Sequence, residues 1–459
     1  MTTGSSKKRY NEMITSLSET ISSTTIIDKE LFTKYNVKRG LRNEDHSGVL
    51  VGLTNIGDVI GYERMDDGTL KAVPGRLIYR GIDVRDLVKG IEKDDRYGFE
   101  ETAYLLLSGN LPSGNELKVF SRLLNELTAL SQDEKMNMMF LRGTDIMNIL
   151  ARQVLVMHTF DEKADDNSRE NLVRQSINLI AKFPTIVAYA YHVMRHNLNH
   201  CSLHIRHPQK NISLAENFLL MLKGKSGYTP LDAHVLDLAL ILHAEHGGGN
   251  NSTFTARVTS STGTDTYSSI SAAIGSLKGP LHGGANLRVI DMFDHLKGAI
   301  RNWNSDSEIN DYLMKMLDKK VFRKNGLIYG IGHAVYTVSD PRTELLKNMA
   351  RKLAAEKNRE EEFAFLEKLE ERSIDAFMNF KGNKVNKQVC ANVDFYSGFV
   401  YEMIGLPKEV FTPLFAMSRV AGWCAHRIEE LNFESRRIIR PAYKNVASLR
   451  SFTPMEERE

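Results

Sequence analysis

The chain has 459 residues, with 42% apolar and 25% charged side chains and a net charge of only +3. This is the balance of an ordinary globular protein, and it argues against a nucleic-acid or membrane-surface partner. The length exceeds what one core usually supports, so two domains or a large and a small lobe are expected. Cys201, Cys390 and Cys424 are the only cysteines and lie far apart, which fits a reducing compartment without a disulfide framework. No apolar run is long enough for a bilayer. The polar, acid-containing N-terminus lacks a signal or transit pattern, so a cytoplasmic location is expected.

Residues 1–45 read as a polar leader with a helix around 10–21. Segments 49–54 and 76–80 are β-leaning, and Asp66-Asp67-Gly68 between them is a turn signal, so a small hairpin is expected. From residue 83 onward the pattern is helical. Residues 99–107 form one helix, stopped by Gly109-Asn110-Leu111-Pro112. The next starts near Ser113 and carries Leu117, Phe120, Leu123, Leu124 and Leu127 at helical spacing. Residues 356–372 predict an exposed helix with one buried edge around Phe363, Leu366 and Leu369. Residues 410–431 predict a long apolar one. The fold class is mostly α with a small N-terminal β-ribbon. The local basic runs Lys7-Lys8-Arg9 and Arg436-Arg437 read as solvated faces.

Three short motifs carry the chemistry. His282 sits in Gly279-Pro280-Leu281-His282-Gly283-Gly284, His333 in Gly330-Ile331-Gly332-His333, and Asp394 in Asn392-Val393-Asp394. Two imidazoles and a carboxylate make an acid–base set able to form and trap an enol near neutral pH. Each residue also has a plainer reading: His282 as a structural histidine at a helix end, His333 in an ordinary turn, Asp394 as a helix N-cap. The glycines before His333 could bring amides to a phosphate or adenine, but they match no dinucleotide or Walker pattern. Arg342 follows Asp340-Pro341 and standing alone reads as a surface residue, although arginine suits a bidentate grip on a carboxylate. His243 and His246 close an apolar helix. Their spacing allows a metal pair, but no further ligands support one, so no metal is expected. Arg419 lies within the apolar 410–431 helix and requires a partner, either a bound dicarboxylate or an internal ion pair.

Taken together, His-Gly-Gly-Ala-Asn at 282–286, Gly-His-Ala-Val-Tyr at 332–336, Asp-Pro-Arg at 340–342, Asn-Val-Asp at 392–394 and Ser-Arg at 418–419 resemble the citrate synthase family. The resemblance runs from about 75 to 441. It implies a helical homodimer whose small domain, 285–392, closes on a large domain formed by 46–284 and 393–459, with 1–45 as a leader. It also implies that Asp394 deprotonates the methyl of acetyl-CoA, that His282 stabilises the enol, and that His333 protonates the oxaloacetate ketone oxygen. His246, Arg342 and Arg419 would hold oxaloacetate, with Arg440 reaching in from the second subunit. Leu327, Ile328, Tyr329, Gly330, Ile331 and Gly332 would recognise CoA, with Arg42 as an additional basic candidate. Acetyl-CoA would be a co-substrate, with no cofactor, nucleic acid or membrane involved.

The chain departs from the family pattern at Thr337-Val338, where a basic residue usually assists CoA. It departs also at Gly247, where an acid is common, and at Leu287, where Glu or Gln is common. The alternative implied activity is 2-methylcitrate synthesis from propionyl-CoA, since one methylene is worth only about 1–3 kcal/mol in a typical pocket. A remoter one is a catalytically silent sensor of dicarboxylate or acyl-CoA.

Overall fold

The computed structural model describes residues 4–45, 47–381 and 388–458. It divides into two compact units, Met1–Leu53 and Thr54–Glu459. The first contains the helix Gly4–Thr24, which includes the expected 10–21, and the short helix Lys29–Lys34, capped by the Asp28 side chain. Arg42 and Gly48 form an isolated bridge there.

The second unit opens with an antiparallel ribbon of three strands, β1 (Gly57–Arg64), β2 (Leu70–Tyr79) and β3 (Ile82–Asp83), in that order. The turn signal lies where expected, with the Asp67 carboxylate accepting from the Thr69 amide at 2.9 Å. The first strand does not. Residues 49–53 form no strand, and Leu50 and Leu53 are 83% and 78% exposed. Pairing instead runs from Gly57 opposite Tyr79 to Arg64 opposite Leu70, with an irregularity between Ile60 and Tyr62. A run of β-formers needs a partner with a buried face, and residues 57–64 are the ones in register with 70–79.

The rest is helical, as expected. Phe99–Ser108 and Gly114–Leu127 fall on their predicted spans, the second with a reciprocal capping box between Ser113 and Glu116. The expected 356–372 helix is present from Glu360, with Phe363, Leu366 and Leu369 buried as its edge, but its start falls on the junction of two helices. Pro341–Glu356 ends, Asn358 takes φ +54°, and Glu360–Lys381 begins. The charged sequence conceals that break because its apolar edge continues across it. Among the described residues, no helix is long and apolar enough to cross a membrane.

Two almost fully buried helices, Pro230–His243 and Phe411–Leu431, form the floor of the unit. Ser418 and Arg419 of the second bond the carbonyls of Leu240 and His243 at the end of the first. Tyr79 of β2 donates its hydroxyl to the Ile241 carbonyl at 2.9 Å, which fastens the ribbon to the same end. The helices meet at Gly422, where a methyl group would run into the Ala244 carbonyl and the Glu245 carboxylate. We predict that Gly422→Ala lowers stability in urea unfolding by about 1–3 kcal/mol, the usual cost of overpacking. An unchanged midpoint would show that the contact yields easily.

Candidate active site

The site is built from chain segments that leave or enter helices. His246 follows the end of Pro230–His243. His282 lies between Thr266–Lys278 and Ala285–Ala299. Asp394 is the first residue of Asp394–Met403, and Arg342 stands in the first turn of Pro341–Glu356.

Two loops are tied together. The Gly332 amide donates to the Cys390 carbonyl at 2.8 Å, and the Asn392 amide donates to the Gly330 carbonyl at 2.9 Å. The Asn392 side chain adds a bond from its Nδ2 to the Gly332 carbonyl at 2.9 Å, while its Oδ1 accepts from the Asp394 amide at 3.0 Å. This clasp brings His333 and Asp394 to one place. Gly330 takes φ +80° and faces Phe395 and Val289 so closely that a Cβ would collide, so glycine is required there.

His333 Nδ1 accepts from the amides of Val335 and Tyr336 at 3.1 and 3.0 Å. A nitrogen that accepts two amide protons carries none itself, so the neutral ring bears its proton on Nε2. The ring stacks on Tyr336 at 4.7 Å and meets His246 edge-on at 5.2 Å. His246 is buried, and its Nε2 has no hydrogen-bond partner among the described residues. Burial first, and then the charge of Arg342, hold its pKa well below the usual histidine range.

His282 Nε2 lies 3.1 Å from Ser252 Oγ. The Trp423 indole N–H, which can only donate, points at the same hydroxyl from 3.2 Å. The Ser252 proton is therefore available to His282 Nε2 or to Asn250 Oδ1, 2.9 Å away. When it goes to His282, Nδ1 of that ring becomes the donor. Burial, assisted by Arg419, pulls the His282 pKa down to about 4, so the imidazole is neutral at pH 7.

Asp394 caps no helix with its side chain. Val393 occupies the N-cap position and Asp394 the first turn, which removes the plain N-cap reading. Burial pushes its carboxyl up to about 6, against the opposing pull of Arg342. The group is ionised at neutral pH yet more basic than an ordinary aspartate.

The two arginines are both buried and differently held. Arg342, far from being a surface residue, is 4% exposed. Its Nε and Nη2 grip both oxygens of Asp340 at 3.0 and 2.7 Å. Arg419 is fully buried; its Nε donates to the His243 carbonyl at 2.6 Å, and its Nη1 and Nη2 have no partner among the described residues. Burial pulls the guanidinium down to about 10, with Glu245 opposing. It remains charged at pH 7, and unpaired buried nitrogens of this kind call for an anion.

Glu245, beside His246, is a support the sequence reading missed. Its carboxylate accepts from His426 Nε2 at 2.9 Å, and His426 Nδ1 accepts from Arg257 Nε at 3.0 Å. Arg257 in turn pairs with Glu429 and Glu430. Burial alone would raise the Glu245 carboxyl, but His426 and Arg419 outweigh it and hold it ionised. Ser252, Asn392 and Asp340 were missed as well. Of these, Asp340 and Asn392 stood within the quoted motifs without a role, whereas Ser252 left no trace in sequence.

Leu327 is exposed, Ile328 and Gly330 are buried, and Tyr329, Ile331 and Gly332 are half-buried along the loop to His333. Arg440 is exposed on the irregular C-terminal segment, not within the buried cluster. Arg42 belongs to the separate 1–53 unit. His243 is no partner of His246 in a ligand pair; its Nε2 meets the Tyr401 hydroxyl at 2.8 Å.

We predict that a small dicarboxylate raises the thermal midpoint and that Arg419→Gln removes about 2–5 kcal/mol of its binding energy. Equal shifts in both proteins would mean that Arg419 does not receive the anion.

The family model for the citrate synthase C-terminal domain matches residues 45–442. A citrate synthase of Synechocystis sp. is 35% identical over 85% of this chain and 89% of its own length. A 2-methylcitrate synthase of Shewanella oneidensis is 33% identical over 83% of this chain and 92% of its own. The fold superposes, with a TM-score of 0.74 and 28% identity, on a Thermoplasma acidophilum citrate synthase solved in ternary complex with carboxymethyl coenzyme A and oxaloacetate. That match covers 92% of this chain and 99% of the other.

Proposed function

The chain belongs to the citrate synthase family and is an acyl-transferring enzyme, and we propose that it condenses acetyl-CoA with oxaloacetate and water to give citrate and CoA. The observation that carries this reading is a carboxyl raised to about 6 in the same cluster as imidazoles held neutral by burial.

The ionised Asp394 takes a proton from the methyl group of the thioester. The electron pair of the broken C–H bond moves toward the carbonyl oxygen, where His282, neutral and in its Nδ1–H form, donates to the developing charge. The enol carbon then attacks the ketone carbon of oxaloacetate. His333 supplies the Nε2 proton to the oxygen that becomes the citrate hydroxyl. Water cleaves the resulting thioester and releases CoA. The proton taken by Asp394 replaces the one given up by His333, one proton of the water goes to the departing sulfur, and the new carboxylic acid loses its proton to solvent.

Arg419, Arg342 and His246 receive the oxaloacetate carboxylates, with Arg440 entering from a second copy in a homodimer. Residues 327–332 meet the nucleotide end of CoA. Residues 285–392 act as the small domain, closing on 46–284 and 393–459 so that water is excluded until the carbon–carbon bond exists. The reaction is the entry step of the tricarboxylic acid cycle, in the cytoplasm. The Shewanella relative favours a second reading with propionyl-CoA, separated from the first by about 1–3 kcal/mol for one methylene.

The test is the pH profile. Only ionised Asp394 is a base, so kcat/KM falls as pH drops through about 6. Asp394→Asn should lose that limb and about 10²–10⁴-fold in turnover, with an unchanged circular dichroism spectrum. Full activity in the variant would exclude Asp394 as the base.

A further inference from the structure

One cation near the His333 loop has no role in the cluster above. Arg288 stands in the first turn of Ala285–Ala299, a turn without an acidic residue. A helix N-terminus favours negative charge, so a lone arginine there is unfavourable unless an anion joins it. Among the described residues, no carboxylate lies within ion-pair distance of Arg288. Asp291, at its i+3 position, is taken by Arg323 at 2.9 Å.

The Arg288 guanidinium lies over the face of Tyr329, 5.7 Å from the ring centre. The ring is itself fixed: Asn325 Nδ2 donates to its hydroxyl at 2.7 Å, and Phe322 meets it edge-on. The turn before it, 318–326, carries Lys319, Lys320, Arg323 and Lys324 against the single acid Asp318. Lys319 lies against Gly326, whose Cβ would be 3.2 Å from the lysine Cε. The segment leaving His333 offers no free cation in compensation. Thr337 is buried and neutral, Val338 is apolar, and Arg342 is already paired with Asp340.

We propose that Arg288, held over the face of Tyr329, is the residue of this chain that binds the phosphates of the acyl-CoA. The inference rests on the acyl-CoA reading above. An aromatic face beside a planar guanidinium suits a ligand that joins a base to phosphates, because the ring accepts stacking and the guanidinium donates to two phosphate oxygens at once. A lysine at 288 would keep the charge but lose the planar fork.

The test is calorimetric titration of CoA, and of phosphate-free pantetheine, into the full-length protein with oxaloacetate present. Arg288→Gln should weaken CoA binding about tenfold or more, as loss of a charge-assisted bond does, and leave pantetheine binding as in the parent. Arg288→Lys should fall between, and its melting curve controls for folding. Equal CoA binding by parent and Arg288→Gln, an equal loss on both ligands, or no CoA binding by the parent would overturn the proposal. Thiol release is read separately. A parent that binds CoA through Arg288 but releases no thiol from acetyl-CoA with oxaloacetate would sink the catalytic reading and leave this one standing.

Discussion

The clasp between 330–332 and 390–392 is the constraint on which the rest of the site depends. Without its two backbone bonds and the Asn392 side chain, His333 and Asp394 belong to separate loops about sixty residues apart in sequence. With them, the start of Asp394–Met403 is fixed, and Gly398 on that helix lets Ile290 and Asn286 of Ala285–Ala299 come close. That second helix begins at Ala285, three residues after His282. His333, Asp394 and His282 are therefore brought together by backbone geometry and close helix packing, and the two histidine rings are then oriented by their own hydrogen bonds.

Burial then sets their chemistry. The same desolvation acts in opposite directions on acids and bases. It raises Asp394 to about 6 and lowers His282 to about 4. Two buried arginines add positive potential beside these half-buried groups. Arg342 is neutralised in place by Asp340, whereas Arg419 retains two unpaired nitrogens. The asymmetry gives one arginine a fixed orientation and leaves the other needing an external anion. Glu245, beneath His246, offsets part of the remaining charge through His426 and Arg257.

Much of this was legible in the sequence because helical periodicity and capping are local. The 99–107 and 410–431 predictions needed only apolar spacing and terminators. The hairpin turn was legible for the same reason. Its first strand was not, because which β-former pairs with 70–79 is decided by register across the ribbon. The break at 357–359 was hidden by an apolar edge that continues past it. The three motif residues stood out by their glycine-rich settings, but their supports did not. Ser252 meets His282 thirty positions away, and His426 meets Glu245 across 181. Arg342 read as a surface side chain because, although its partner Asp340 is only two residues away, burial of the pair depends on the tertiary cluster that packs around it.

The central claim is that the clasped acid–base set forms a carbon–carbon bond between a thioester methyl and oxaloacetate. The most direct measurement is free-thiol release by the purified protein from acetyl-CoA and from propionyl-CoA, each with and without oxaloacetate. The account predicts release that requires oxaloacetate and is faster with acetyl-CoA. Faster release from propionyl-CoA would contradict the substrate assignment, and release from neither would contradict the reaction itself.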